Sequence, residues 1–236
     1  VRGFENGERF EDRITWTPRL YLPTRGDSKY QSLSGKKLAP KTYQSIKEAR
    51  SAINRFEDHS VFFLGTDRFH YQYIGQEYPE DIKWDKDHIK IFTLDIETTC
   101  ENGFPDVENP VEKLLCITVK NQSNKQIITW GVGDFTTDRH DVTYVKCKDE
   151  KQLLFEFMKF WIKNYPDIIT GWNTKFFDLP YLMNRIKLLA GDKVASRMSP
   201  WNLINREEIT VRGRPQTYYQ LYGIVMLDYL DLYKWF

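Results

Sequence analysis

Hydrophobic and polar positions change rhythm near residue 89. Upstream, Ile14-Thr15-Trp16-Thr17-Pro18-Arg19-Leu20-Tyr21-Leu22 alternates at the period of a strand, with Pro18 favouring an edge. Ala49, Ile53 and Phe56 recur at helical spacing and predict a helix over 45–56. Residues 61–64 and 71–74 read as short strands, and 77–81 as a connector. Residues 1–88 are therefore expected to form a smaller α+β unit.

Downstream, three strands are predicted at 91–97, 114–120 and 127–132, and their short connections make them antiparallel neighbours. A further extended piece, 143–146, precedes a helix over 151–165 whose Leu154, Phe157, Met158 and Trp161 form an apolar stripe, read as core. A strand at 167–170 and a helix at 179–190 follow. Leu182, Met183, Ile186 and Leu189 face inward there, and Gly191 ends the helix. Three antiparallel strands, then helix, strand, helix, is the order of the ribonuclease-H-like α/β fold, expected here over residues 89–236.

The chain has 236 residues, 41% hydrophobic and 15% aromatic, which excludes disorder. No apolar run reaches the length of a membrane span and no signal peptide opens the chain, so no membrane partner is expected. It starts at Val1, and Asp231-Leu232-Tyr233-Lys234-Trp235-Phe236 reads as the middle of an amphipathic element, as in a fragment cut at both ends. Cys100, Cys116 and Cys147 show no zinc spacing and no even pairing, which points to a reducing setting. A formal net charge of +1 is too low for tracking long duplex DNA unaided. Any nucleic-acid contact must be local, with metal ions supplying part of the positive charge.

Two acidic stations carry the chemistry. In the strand at 91–97, Phe92, Leu94 and Ile96 share one face while Thr93, Asp95 and Glu97 share the other. Two carboxylates so close on a rigid strand suit a divalent cation; a solvated sheet face is the plainer alternative. The second station is Asn173-Thr174-Lys175-Phe176-Phe177-Asp178. With Pro180 in the first turn, Asp178 also reads as a helix N-cap and Asn173 as a turn residue.

Asp95-Ile96-Glu97 resembles the first exonuclease motif of the family-B DNA polymerases. Asn173-x-x-x-Phe177-Asp178, after Gly171-Trp172, resembles the second. The likeness extends along nearly the whole chain, through Phe104-Pro105, Ser199-Pro200 and 227–233, and points to the T-even-like bacteriophage members, cyanophage ones included. It implies a partial polymerase N-terminal domain (1–88) and a DnaQ-type 3′→5′ proofreading exonuclease domain (89–236), truncated before the third motif. It implies that Asp95, Glu97 and Asp178 are catalytic and hold two Mg²⁺ or Mn²⁺ ions, with Asp95 bridging them. Asn173, Phe177 and Phe104 would meet DNA, Phe104 by stacking on a base. Residues 208–221 read as a hairpin turning at Arg212-Gly213-Arg214. By resemblance it works at the primer–template junction, where Arg212 and Arg214 would meet phosphates.

The family's third motif, Tyr-x-x-x-Asp, is absent: no Tyr stands four residues before Asp228 or Asp231, which read as structural acids beginning a helix. The resemblance therefore implies feeble or no hydrolysis by this chain alone. Its partners would be a single-stranded or frayed primer 3′ end and the remainder of the polymerase, with the chain monomeric, in the cytoplasm of an infected bacterium. Two alternatives stay open: a related exonuclease acting on RNA, and a non-catalytic DNA- or partner-binding part of a split polymerase.

Overall fold

In the computed structural model, which describes residues 1–65, 67–81, 85–211 and 213–235, the chain divides into two units, Val1–Trp84 and Asp85–Phe236. The first opens with strands β1 (Arg2–Glu5) and β2 (Glu8–Glu11), an antiparallel hairpin. Its turn residues Asn6 and Gly7 are both left-handed, with φ of 51° and 84°, as a tight two-residue turn requires. Strands β3 (Arg19–Pro23), β4 (Tyr30–Gln31) and β5 (Lys37–Thr42) form a sheet in the order β3-β5-β4. Helix α1 (Ile46–Asp58) starts where the Ser45 hydroxyl accepts from the Glu48 N–H. Its Ala49, Ala52 and Ile53 pack with Leu20, Tyr43 and Phe69 into a small core.

Three expectations for this unit are corrected. The strand expected at 14–22 pairs only from Arg19, because Pro18 has no N–H to give a ladder. Residues 61–64 contribute one isolated bridge, Tyr21 to Leu64. Residues 71–74 lie inside helix α2 (Phe69–Glu77). The aromatic alternation there is overridden by tertiary bonds at helical spacing. Gln72 exchanges two hydrogen bonds with the Arg19 backbone (2.8 and 2.7 Å), and Gln76, four residues on, accepts from the Trp16 indole.

The second unit contains β6 (Ile91–Thr98), β7 (Leu114–Asn121), β8 (Ile127–Val132), β9 (Val142–Cys147), α3 (Glu150–Asn164), β10 (Ile168–Gly171), α4 (Asp178–Ala190), α5 (Asp192–Ala195), β11 (Ile204–Val211), β12 (Arg214–Leu221), β13 (Val225–Asp228) and α6 (Tyr229–Trp235). Six of these strands make one sheet, in the order β13-β10-β6-β7-β8-β9. β6, β7 and β8 are antiparallel, as their short connections require, whereas β9, β10 and β13 run parallel to β8, β6 and β10. Phe92, Leu94 and Ile96 of β6 are buried in one core with Leu153, Phe157 and Trp161 of α3 and Leu179, Leu182 and Ile186 of α4. Each such side chain contributes about 1.5–3 kcal/mol on leaving water. The mixed α/β architecture follows the order of elements expected of a ribonuclease-H-like fold.

The hairpin begins at Ile204, four residues earlier than its pattern suggests, and pairs through Val211 with Arg214. Strand β13, which no sequence expectation covers, joins the sheet edge by pairing with β10. Among the described residues no helix is long and apolar enough to cross a membrane.

Candidate active site

The site forms where two parallel strands part. β10 pairs with β6 only at Ile91, Phe92 and Thr93. Past Thr93, groups on the edge of β6 that would have met a neighbouring strand are taken instead by the loop between β10 and α4. The Thr174 hydroxyl donates to the Leu94 carbonyl at 3.3 Å, and Asp178 Oδ1 accepts from the Ile96 N–H at 3.1 Å. Ligand sites in such sheets form in this kind of crevice.

Close approach makes Gly171 necessary at the loop's start. A Cβ there would stand 2.0 Å from Thr174 Oγ1 and 2.7 Å from the Leu94 carbonyl. Asn173 turns the chain in the left-handed region, with φ of 61°. Asp228, buried at the end of β13, accepts from the N–H groups of Asn173 (3.0 Å), Lys175 (2.8 Å) and Leu230 (2.8 Å). The Asp178 loop is thus fastened to β6 on one side and to β13 on the other.

Asp178 does not precede α4 as an N-cap; it is the first residue of the helix, the cap position is Phe177, and its carboxylate reaches back to β6. It is 4% exposed. Burial, together with the charges of Asp95 and Asp228, pushes its pKa up to about 7 against the opposing Ile96 N–H. Asp95 and Glu97 project from β6 with exposed side chains, and the surrounding protein still raises the Asp95 carboxyl. A register shift between Glu97 and Thr98 ends the regular pairing with β7 beside the acids. Cys116 is the cross-strand partner of Glu97; burial and then the charges of Glu97 and Asp95 raise its thiol, so it stays protonated and inert.

Beside the acids stands an aromatic step. Phe104 is 83% exposed, its ring centroid lies 5.7 Å from that of Phe177, and Phe177 stacks on Tyr181 at 5.9 Å. The segment between β6 and β7 that carries Phe104 is tied to α4. Tyr181 donates to the Glu112 carbonyl (2.7 Å), Asn184 to that of Val107 (2.8 Å), and Arg185 to that of Pro110 (2.7 Å). Arg185 also forms a bidentate pair with Glu150 (2.6 and 2.7 Å).

On the hairpin, Arg206 bonds Glu108 of the same segment at 2.6 Å, and the Lys175 ammonium lies 4.9 and 5.1 Å from the rings of Phe176 and Tyr218. Arg214 is exposed at the start of β12; Arg212 lies outside the described residues. Asn173 enters the site through its backbone, at the bonds to Asp228. The residues that sequence reasoning missed are Glu112 and Ile96, together with the loop-fastening role of Asp228. A lone Glu between two loops, or a backbone N–H, leaves no pattern to find.

Every candidate ligand is a hard oxygen, and the Asp178 carboxyl is raised first by burial and then by the charges of Asp95 and Asp228, a repulsion that a cation would relieve. Among the described residues no three His, Cys, Asp or Glu side chains already stand as a ligand set.

The model of the DNA polymerase family B exonuclease domain matches residues 33–236. The chain belongs to this family. It is 29% identical, over 98% of its length, to the DNA-directed DNA polymerase of Enterobacteria phage T4, and 30% identical over 98% to that of Escherichia phage RB69. It spans 28% and 29% of those two proteins. It is also 34% identical, over 54% of its length, to the DNA polymerase delta catalytic subunit of Dictyostelium discoideum, covering 13% of it. In this family-B exonuclease domain, β6 and the head of α4 bring the two acidic stations together through the Ile96–Asp178 bond.

Proposed function

We propose that this family-B chain is the proofreading 3′→5′ exonuclease region of a replicative phage DNA polymerase. It would act on single-stranded or frayed primer 3′ ends in the cytoplasm of an infected bacterium. The observation that carries this is the meeting of Asp178 with β6 at Ile96, beside Asp95 and next to an exposed aromatic step.

Asp95, Glu97 and Asp178 would hold two divalent ions, Mg²⁺ or Mn²⁺. When bound, such ions stabilise the attacking and leaving oxygens of an in-line phosphoryl displacement. The protein's own part is to present the ligands and the strand. The Ile96 N–H fixes the Asp178 carboxylate, and that carboxyl must lose its proton before it can ligate, which in the metal-free fold happens near pH 7. Phe104, with Phe177 behind it, offers a face on which any terminal base can stack, so binding is indifferent to sequence. Arg212 and Arg214 would meet phosphates of the flanking strand. The backbone turn at Asn173 sets the height of the Asp178 loop.

No Tyr-x-x-x-Asp occurs in the 236 residues. Hydrolysis by this chain is therefore expected to be feeble, because misplacement of an attacking group by about 1 Å can cost ~10²-fold in rate. Nucleotide release from a 5′-labelled single-stranded oligonucleotide with Mn²⁺ tests the reading on this chain, its Asp95→Ala variant and a longer chain carrying the third motif. A longer chain that shortens the strand from the 3′ end, and loses this with Asp95→Ala, supports it. Degradation untouched by Asp95→Ala overturns it.

A second reading is a module that holds DNA or the rest of the polymerase and hydrolyses nothing; among the described residues no three His, Cys, Asp or Glu side chains stand as a ligand set. Calorimetric titration with Mn²⁺ separates the two, since two bound ions support the exonuclease and none the module.

A further inference from the structure

We propose that Glu112 is a positioning residue for the terminal base of the substrate strand, because it fixes the loop on which Phe104 stands. This rests on the exonuclease reading above. Glu112 is 3% exposed, and all of its side-chain partners lie within four consecutive residues. Oε1 accepts from the N–H (2.7 Å) and the amide Nδ2 (3.0 Å) of Asn102. Oε2 accepts from the Glu101 N–H (3.1 Å) and from the Thr99 hydroxyl. Thr99 in turn accepts from the Lys113 N–H (3.0 Å), closing a ring between the two ends of the loop. Both carboxylate oxygens are doubly engaged by donors, the arrangement that holds an ionised acid best.

The anchor is itself anchored. The Glu112 carbonyl accepts from Tyr181 of α4, the helix that begins with Asp178, and Tyr181 carries the stack Phe177–Phe104. The segment from Thr99 to Asn102, beyond the acids of β6 and leading to Phe104, is thereby tied to α4. Phe104 is 83% exposed, and its ring packs on Phe177 behind it. A ring already ordered before binding loses less entropy when a base stacks on it.

Glu112→Gln keeps the shape but puts an NH₂ where an oxygen met two donors, so part of the clamp must open. The assay is binding of a single-stranded oligonucleotide with 2-aminopurine at its 3′ end, read by affinity and by quenching of the base. Phe104→Ala should weaken binding about 5- to 150-fold, and Glu112→Gln about 2- to 10-fold with less quenching. Adding Glu112→Gln to Phe104→Ala should cost nothing further, and Mn²⁺ affinity should not change. A loss that repeats in the Phe104→Ala background, or one that Mn²⁺ affinity shares, overturns the inference and leaves Glu112 a general staple. Full binding by Glu112→Gln overturns it too, while a wild-type chain that binds no single strand overturns the exonuclease reading first. If Glu112→Gln does not fold, Thr99→Val removes one donor and carries the same expectation at smaller amplitude.

Discussion

Replacing Asp178 by Asn should stabilise the metal-free fold, and only above mildly acidic pH. The carboxyl titrates near 7 in the fold against 3.8 when free, a gap of about 3 units at ~1.36 kcal/mol each. The sign follows from proton binding. Between pH 4 and 7 the unfolded chain has released this proton and the fold still holds it, so the group's contribution is full below pH 4. It fades as pH rises to 7 and stays lost above. The ceiling is about 4 kcal/mol; water entry at the mouth of the site leaves about 2–4 kcal/mol, or roughly 5–15 °C in melting temperature for a unit of this size. Asn keeps an Oδ1 for the Ile96 N–H, so little else changes. The assay is thermal unfolding followed by circular dichroism in EDTA at pH 5, 6, 7 and 8, wild type against Asp178→Asn. The variant's advantage should be about a third of its full size at pH 5 and grow until about pH 7. Mn²⁺ should raise the wild type and not the variant, erasing the difference. A difference independent of pH, or one favouring the wild type at pH 8 without metal, would refute burial of an uncompensated charge at this site.

Gly171→Ala forces a methyl against Thr174 and the Leu94 carbonyl and should cost about 1–3 kcal/mol in denaturant melts, with Mn²⁺ affinity falling as the Asp178 loop shifts. Asp228→Ala removes the acceptor from three N–H groups and should cost about 1–3 kcal/mol; Asp228→Asn should recover part. Arg185→Met strands the nearly buried Glu150 and should lower stability by about 3–5 kcal/mol, measured by the same melts. Glu112, held down at about 2 chiefly by the Thr99 hydroxyl, adds an opposite pH effect. Its contribution is present above about 4.5 and lost as pH falls toward 2, so acid unfolding should come earlier in Thr99→Val.

What could be read in advance was whatever has a period. Alternation along 91–97 placed Asp95 and Glu97 away from the core, and the stripes of α3 and α4 gave the inner faces of both helices. Asp178 was legible as an important acid but not for what it does: by itself it looks like a helix cap, and only the fold supplies the Ile96 N–H that redirects it. Tyr71 to Ile74 suit a strand because aromatic residues favour one, while the glutamines that decide the matter, Gln72 and Gln76, act only once the Arg19 backbone and the Trp16 indole are beside them. Strand β13 joins the sheet only by pairing with β10, which lies more than fifty residues earlier, while its closing Asp228 reads locally as the start of a helix.

The shortness of the β10–β6 ladder has a consequence for how this region tolerates change. Three paired rungs are enough to register the strands, and a fourth would claim the edge of β6 where Thr174 and Asp178 now reach it. The crevice is therefore an unfinished sheet, kept unfinished by the close approach at Gly171 and the turn at Asn173. Insertions that let β10 run on would yield a better-paired sheet and a sealed surface with nowhere to set an ion. Selection for stability alone would close this gap, so variants of this chain isolated for heat resistance and carrying changes at 171–174 are the place to look for a crevice that has been lost.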